Sequence, residues 1–372
     1  MSNSLSREEQ SRYQRHLVMP EVGVEGQLKL KAARILLIGV GGLGSPLGLY
    51  LAAAGIGTLG VIDADSVEQS NLQRQVLYGT GSVGRAKVDA CRERLLDLNP
   101  SIRVRAYPQR LTSEKALALF SEYDLIVDGT DNFPTRYLVN DACVLTGKPY
   151  VYGSVFRFQG QVSLFAPGQA GPCYRCLYPE PPPAHLAPSC AEGGVLGVLP
   201  GVVGTLQATE AIKWVLQSGE SLVGRLLTFD ALRMRFQEIK FSRDPGCPVC
   251  GDCPSLTELI NYREFCGVGE PGHEIEPEEF LLKWREGWRP TVLDVRTRAE
   301  WTTGNLEEYG ARLLPLSELP LALNSLNKEQ DMVVVCRSGA RSAEAQRMLL
   351  NAGFERVYNF SGGMLAWSTY SG

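Results

Sequence analysis

Residues 34–44 read RILLIGVGGLG, and this stretch decides the fold. An apolar run from Arg34 to Val40 enters a glycine turn, and a helical pattern follows from Ser45 to Ala54. Gly39, Gly41 and Gly44 give the G-x-G-x-x-G spacing, where missing side chains let a phosphate approach the backbone amides at a helix N-terminus. A second strand is expected at Thr58–Ile62, and a third at Leu125–Val127 that runs into D-G-T-D-N at Asp128–Asn132. Strands alternating with helices predict an α/β fold, Rossmann-like with a parallel-rich sheet, whose ligands sit at the carboxyl ends of the strands.

The chain has 372 residues, enough for two cores. From Gly168 to Pro188 it is rich in Pro and Gly and includes P-E-P-P-P, which predicts a long mobile loop. A helix over Gly204–Leu216 and a strand over Leu226–Asp230 resume the fold, and a cysteine cluster at Cys247–Cys253 closes the first domain, residues 1–254. The pattern weakens over 255–273, read as a linker. A smaller α/β domain follows over 274–372, with helix Pro277–Arg285, strands Thr291–Val295 and Met332–Cys336, and helix Ser342–Ala352.

A net charge of −4 supplies no basic field for a phosphate backbone, which argues against nucleic acid as the main partner. The longest apolar stretch, Gly193–Leu206, is broken by Gly and Pro and falls short of the ~18–20 residues of a membrane span. The first twenty residues lack the apolar core of a secretory signal, so a cytoplasmic location is expected. In that compartment ten cysteines point to metal binding or catalysis more than to disulfides.

The glycine motif with Asp63 at the end of the next strand, placed to accept from ribose hydroxyls, would by itself favour an NAD-dependent oxidoreductase. The residues that follow favour ATP. Asn71, Arg74 and Lys87 add polar and cationic groups where a triphosphate needs neutralising, and Asp131 beside Asn132 is placed to hold Mg²⁺ bridging phosphate oxygens. A single Lys or Arg is usually a solvated surface charge, so the weight lies in the ordered set. Asp65 either shares the ribose or caps its turn.

G-V-G-G-L-G at 39–44, V-I-D-A-D at 61–65, S-N-L-Q-R-Q at 70–75, Lys87 and D-G-T-D-N, in this order, resemble the MoeB and ThiF adenylyltransferases of the ubiquitin-activating superfamily. The resemblance covers Leu5 to about Cys253. It implies adenylation of the C-terminal glycine of a ubiquitin-like sulfur carrier ending in Gly-Gly. It further implies nucleotide contacts from Gly41, Gly42, Ser70, Asn71, Leu72, Gln73, Arg74, Lys87, Asp131 and Asn132, with Asp63 on the ribose, Arg74 and Lys87 on the phosphates and Asp131 on magnesium. Arg15 maps onto an arginine that reaches the neighbouring subunit's site, which implies a homodimer.

Cys173 with Cys176, and Cys247 with Cys250, form two C-x-x-C pairs. Their wide separation leaves one tetrahedral zinc site and two unrelated pairs evenly matched; the resemblance implies zinc. Cys253 is left outside that ligand set. A lone cysteine such as Cys190 is more often a small buried hydrophobe than a nucleophile, but the resemblance implies an acyl-accepting or resolving thiol there. Cys91, Cys143 and Cys266 are read as structural or incidental.

Near the other end, an apolar strand M-V-V-V-C opens the loop C-R-S-G-A-R, Cys336–Arg341. Converging amides, with Arg337 and Arg341, should favour a thiolate at Cys336. None of the three histidines, His16, His185 and His273, suggests a Cys-His dyad. With D-V-R at 294–296 and S-G-G-M-L-A-W at 361–367, this domain resembles rhodaneses. That implies a persulfide on Cys336, held by a loop of Arg337, Ser338, Gly339, Ala340 and Arg341, and a sulfur donor such as a cysteine desulfurase or thiosulfate. The chain departs from the usual G-H-I-x-G-A, reading G-N-L-E-E-Y-G-A at 304–311. A non-catalytic scaffold that binds a carrier and a donor is the reading from another class.

Overall fold

The computed structural model describes residues 4–182, 194–266 and 274–370. Two compact units separate, one running to Glu180 and from Gly194 to Ile260, the other from Asn261 onward.

The first unit is built on an eight-stranded sheet. Its strands are β1 (Arg34–Ile38), β2 (Thr58–Ile62), β3 (Arg103–Tyr107), β4 (Leu125–Asp128), β5 (Tyr150–Phe156), β6 (Gln159–Phe165), β7 (Arg225–Asp230) and β8 (Arg235–Lys240). The order is β3-β2-β1-β4-β5-β6-β7-β8, parallel through β5 and antiparallel beyond. Ile35, Leu36 and Leu37 are fully buried because helices cover both faces of the parallel half, which is why β1 reads as a continuous apolar run.

Strand order reverses between β1 and β4, and there the two loops meet. Ile38 pairs with Asp128, and the Gly129 amide donates to the Ile38 carbonyl at 2.8 Å. The helix Gly44–Ala54 starts hard against the same turn. A β-carbon on Gly44 would lie 2.1 Å from the Gly39 carbonyl oxygen, and Gly39 itself has φ of +81°. The glycine spacing is thus a packing requirement of this crossing as well as an opening for a ligand.

The antiparallel half differs from the sequence expectation in extent. Its last helix runs over Leu199–Leu216 instead of starting at Gly204, because Pro200 sits in the first turn, where no amide is needed. Gly204 packs on the Leu43 carbonyl and Gly153 on the Gln207 amide, so both glycines mark close contact, not breaks. The stretch after Gly168 is also not a free loop in its described part. It carries the helical turn Tyr174–Leu177, with Tyr174 and Arg175 buried. The segment up to Ile260 stays with the first unit, its last carbonyl accepting from the Ser113 hydroxyl at 2.9 Å.

The second unit has five parallel strands: β9 (Glu274–Ile275), β10 (Thr291–Asp294), β11 (Arg312–Leu313), β12 (Met332–Val335) and β13 (Val357–Phe360), in the order β11-β10-β12-β13-β9. Alternation along β12 feeds two cores. Met332, Val334 and Cys336 pack with Leu349 and Phe354, while Val333 and Val335 pack with Phe280, Phe360 and Trp367. No helix among the described residues is long and apolar enough to cross a membrane.

Gly44→Ala should destabilise the first unit by about 1–3 kcal/mol, since the obstructing atom is backbone and cannot rotate away. Denaturant unfolding of the full chain measures it; a wild-type midpoint would contradict this account of the turn.

Candidate functional site

The glycine loop is tied to β2 through Asp63, whose carboxylate accepts from the Val40 amide at 3.0 Å and the Asp65 amide at 2.9 Å. Burial pushes the Asp63 carboxyl up, opposed by the Lys87 ammonium and by those amides. Lys87 opens the helix Lys87–Leu98 and is buried, with its ammonium 2.8 Å from Asp65. Lys87 is thus paired with a carboxylate, and Asp65 is its partner.

Within S-N-L-Q-R-Q, Arg74 lays its stem beside Gly42 and donates to the Ser70 carbonyl at 3.2 Å. Asn71 is buried and accepts from the Glu68 amide at 3.2 Å, holding a short turn; Ser70 and Gln73 are exposed and Leu72 half-buried. Gln75 was not singled out from sequence. It is buried, its side-chain nitrogen faces Gly41, and its Oε1 has no hydrogen-bond partner among the described residues.

Across the reversal, Asp131 and Asn132 are exposed, and the Asn132 side chain accepts from the Thr135 amide to cap the helix Phe133–Thr146. The loop that presents them is braced from beneath. Asp128 is fully buried and accepts from the Thr130 amide at 2.9 Å and hydroxyl at 2.6 Å. Gln207 donates to the Asp128 carbonyl at 2.7 Å, and Arg136, packed against the rings of Phe133 and Tyr152, donates to the Thr130 carbonyl at 3.1 Å. Asp128, Arg136 and Gln207 also escaped the sequence reading; the signal available was Asp128 itself, first residue of D-G-T-D-N. Arg15 is exposed on the short helix Gln14–Leu17.

The two C-x-x-C pairs come together. Sulfur separations are 3.7 Å for Cys173 to Cys247, 3.4 Å for Cys176 to Cys250 and 3.9 Å for Cys173 to Cys176, and all four lie within 4.8 Å of one another. Tetrahedral zinc with Zn–S bonds of about 2.3 Å requires sulfurs roughly 3.8 Å apart, so the set fits that ion. Cys253 is exposed and outside the group. The knuckle is anchored by Arg175, which makes two 2.8 Å hydrogen bonds to Asp141, and by Asn140, which accepts from the Tyr174 amide at 2.7 Å. Cys190 lies outside the described residues.

In the second unit Cys336 follows β12 and is fully buried, its sulfur accepting from the Gly339 amide at 3.1 Å. Gly339 has φ of +94° and precedes the helix Ala340–Asn351, so the sulfur faces that helix N-terminus. The loop backbone is clamped by the last helix, Gly363–Tyr370. Met364 and Leu365 amides donate to the Cys336 and Arg337 carbonyls at 2.9 and 3.0 Å.

Arg337 is exposed and lines a groove of about 620 Å³ together with Arg296, Asn305 and Trp367. The Arg341 guanidinium makes hydrogen bonds of 2.9 and 2.6 Å to Glu300, an acidic partner the sequence did not reveal. Ser338 and Ala340 are half-buried. Arg296 is buried against Asp294 and the Gly304 carbonyl, so D-V-R is a brace. Asn305, standing where histidine is usual, accepts from the Glu307 amide at 3.0 Å and so shapes the local turn.

Residues 13–249 match the ThiF family and residues 277–370 the rhodanese-like domain. The chain belongs to the ThiF family. This ThiF-family chain is 48% identical, over 99% of its length and 95% of the relative's, to the probable adenylyltransferase/sulfurtransferase MoeZ of Mycobacterium tuberculosis. It is 54% identical, over 71% of its length and 98% of the relative's, to the sulfur carrier protein adenylyltransferase of Thermus thermophilus. Among solved structures it resembles E. coli MccB with AMPCPP and MccA, with a TM-score of 0.59 and 28% identity over 65% of this chain and 74% of that one. The ThiF match spans the glycine loop, the D-G-T-D-N loop and three of the four clustered cysteines, Cys173, Cys176 and Cys247, and the rhodanese match spans the Cys336 loop.

The Arg341 guanidinium holds the Glu300 carboxyl at about 2, below its ordinary 4.5, against burial and with help from Thr297. A lowered carboxyl stabilises the folded state fully above about 4.5, and that contribution is lost as pH falls towards about 2. Partial exposure of the pair keeps the effect modest. Glu300→Gln should therefore melt less steeply with acidification across this window; identical acid slopes for variant and wild type would contradict the pairing.

Proposed function

We propose that this protein uses Mg-ATP to adenylate the C-terminal glycine of a ubiquitin-like sulfur carrier ending in Gly-Gly, then delivers sulfur from a Cys336 persulfide to make the carrier thiocarboxylate. The observation that carries this reading is the presence on one chain of an anion cradle at a strand-order reversal and a thiol seated at a helix N-terminus. A carboxylate is already a nucleophile at neutral pH, so the first step needs positioning and charge stabilisation more than a base. The carrier carboxylate oxygen attacks the α-phosphorus and pyrophosphate leaves. Gly41 and Gly42 leave room for the phosphates, Arg74 lies beside Gly42 to meet their charge, and Lys87 joins it by exchanging Asp65 for phosphate oxygens. Asp63 takes the ribose.

Asp131, exposed beside Asn132, would hold Mg²⁺, which neutralises phosphate charge when bound. Ser70, Asn71, Leu72 and Gln73 shape the wall carrying Arg74. In the second step the outer sulfur of the Cys336 persulfide attacks the acyl carbon and AMP departs. A second thiol, Cys190 or another, then attacks the disulfide and releases the thiocarboxylate. Residues 1–254 carry the first step and 274–372 the second, joined through 255–273. The donor is a cysteine desulfurase or thiosulfate, the site is completed in a homodimer by Arg15 of the neighbour, and the protein works in the cytoplasm. The pathway served is that of molybdopterin, thiamine or cysteine formation.

Mass spectrometry of Gly-Gly carriers after incubation with the protein, Mg-ATP and a donor should show one oxygen replaced by sulfur. Cys336→Ala should abolish that change and spare ATP–pyrophosphate exchange; loss of both in a folded variant would refute the division of labour. The four cysteines should hold one zinc per chain, and Cys176→Ser or Cys250→Ser should lose it and lower the melting temperature by several degrees. Metal analysis showing full zinc in either variant would exclude the site.

A further inference from the structure

We infer that Ser342 is a catalytic residue of sulfur transfer, its hydroxyl stabilising negative charge on the Cys336 sulfur; this rests on Cys336 being the sulfur carrier of the proposed reaction. Ser342 is fully buried in the first turn of the helix Ala340–Asn351. Its Oγ lies 3.3 Å from the Cys336 sulfur and 3.1 Å from the Gly339 carbonyl oxygen. A hydroxyl has a single proton and rotates to the better acceptor. With a neutral thiol the carbonyl is that acceptor; with a thiolate the sulfur is, since hydrogen bonds to ionised groups are the stronger.

The neighbourhood leaves this work to few groups. Cys336 is closed off from solvent, so water does not solvate its charge. Arg337, next in the chain, is exposed on the groove, and the guanidinium of Arg341 is ion-paired with Glu300. The Gly339 amide and the Ser342 hydroxyl are the donors that reach the sulfur among the described residues.

The benefit falls where charge develops on that sulfur. In loading from thiosulfate, the Cys336 thiolate attacks the outer sulfur, the donor's S–S bond breaks, and its electron pair leaves with sulfite. In unloading to cyanide, a C–S bond forms, the persulfide S–S bond breaks, and its pair returns to the Cys336 sulfur as thiocyanate departs. The hydroxyl thus enlarges the thiolate fraction before loading and stabilises the leaving group during unloading.

Alkylation of Cys336 followed by peptide mass spectrometry reads this without assuming a donor. In Ser342→Ala the pH profile of Cys336 alkylation should move to higher pH. Thiosulfate-to-cyanide transfer should slow about tenfold, as for loss of one charge-assisted hydrogen bond. Ser342→Thr and Ser342→Val have the same shape and isolate the hydroxyl: Thr should retain the wild-type profile and Val should follow Ala. ATP–pyrophosphate exchange reports that the first unit is intact. If folded Val and Thr variants share one alkylation profile, the inference is wrong even when both are slow, because the serine then only packs. If Cys336→Ala keeps wild-type cyanide-driven transfer, the persulfide reading fails instead.

Discussion

Everything in the first unit depends on how closely the carboxyl ends of β1 and β4 approach. The Gly129 amide bonds to the Ile38 carbonyl, and the helix after the glycine turn starts with almost no clearance above Gly39. This contact brings the glycine loop and the D-G-T-D-N loop to one crevice. Larger residues would force the loops apart and separate the backbone amides from the carboxylate opposite. The crevice is a place where charge is expected, because strand-order reversal leaves it uncovered by the crossover helices.

The polar groups around it fall into two kinds. Asp128, Gln207 and Arg136 are buried and spend their hydrogen bonds on loop backbone, so they fix where Asp131 and Asn132 stand. Asp63 does the same for the glycine loop. Lys87 and Arg74 instead hold contacts that a more highly charged partner would outbid: an exposed carboxylate and a carbonyl oxygen. Buried braces with exchangeable cations above them suit a site that must accept and release a polyanion.

In the parallel half of the first sheet β1, β2 and β4 were legible because they are apolar runs punctuated by glycine or aspartate at the ends facing the crevice, whereas β3, R-V-R-A-Y, and β5, interrupted by Gly153, were not. Of the antiparallel half only β7 was, read as a strand over Leu226–Asp230. All six residues of β8, R-F-Q-E-I-K, are exposed, so no apolar pattern marks it, and the glycines at 153 and 204 look like breaks while serving close packing. The Pro- and Gly-rich stretch after Gly168 misled for the same reason: the buried Arg175 pairs with Asp141, thirty-four positions away. The candidate nucleotide and sulfur residues stand in motifs and could be named, but the side chains that pair with them could not. Whether Arg341 serves the thiol or Glu300 is decided by a tertiary contact, as is the burial of Gln75 and Ser342.

The two units solve the charge problem in opposite ways, and their chemistry explains why. A triphosphate brings several negative charges that come and go with each cycle, which suits cations whose present contacts, Lys87 with Asp65 and Arg74 with a carbonyl oxygen, can be exchanged. In the proposed reaction the cysteine sulfur would carry one charge that shifts between thiolate and persulfide without leaving the protein. A fixed cation beside it would hold the thiolate at the expense of its nucleophilicity, whereas an amide and a rotatable hydroxyl respond as the charge moves. Diverting Arg341 to Glu300 follows from this: the ion pair locks the loop's shape while the dipoles of Gly339 and Ser342 face the sulfur. On this reading the Arg341–Glu300 pair supplies geometry, and the Gly339 amide and Ser342 hydroxyl are the dipoles that meet the sulfur.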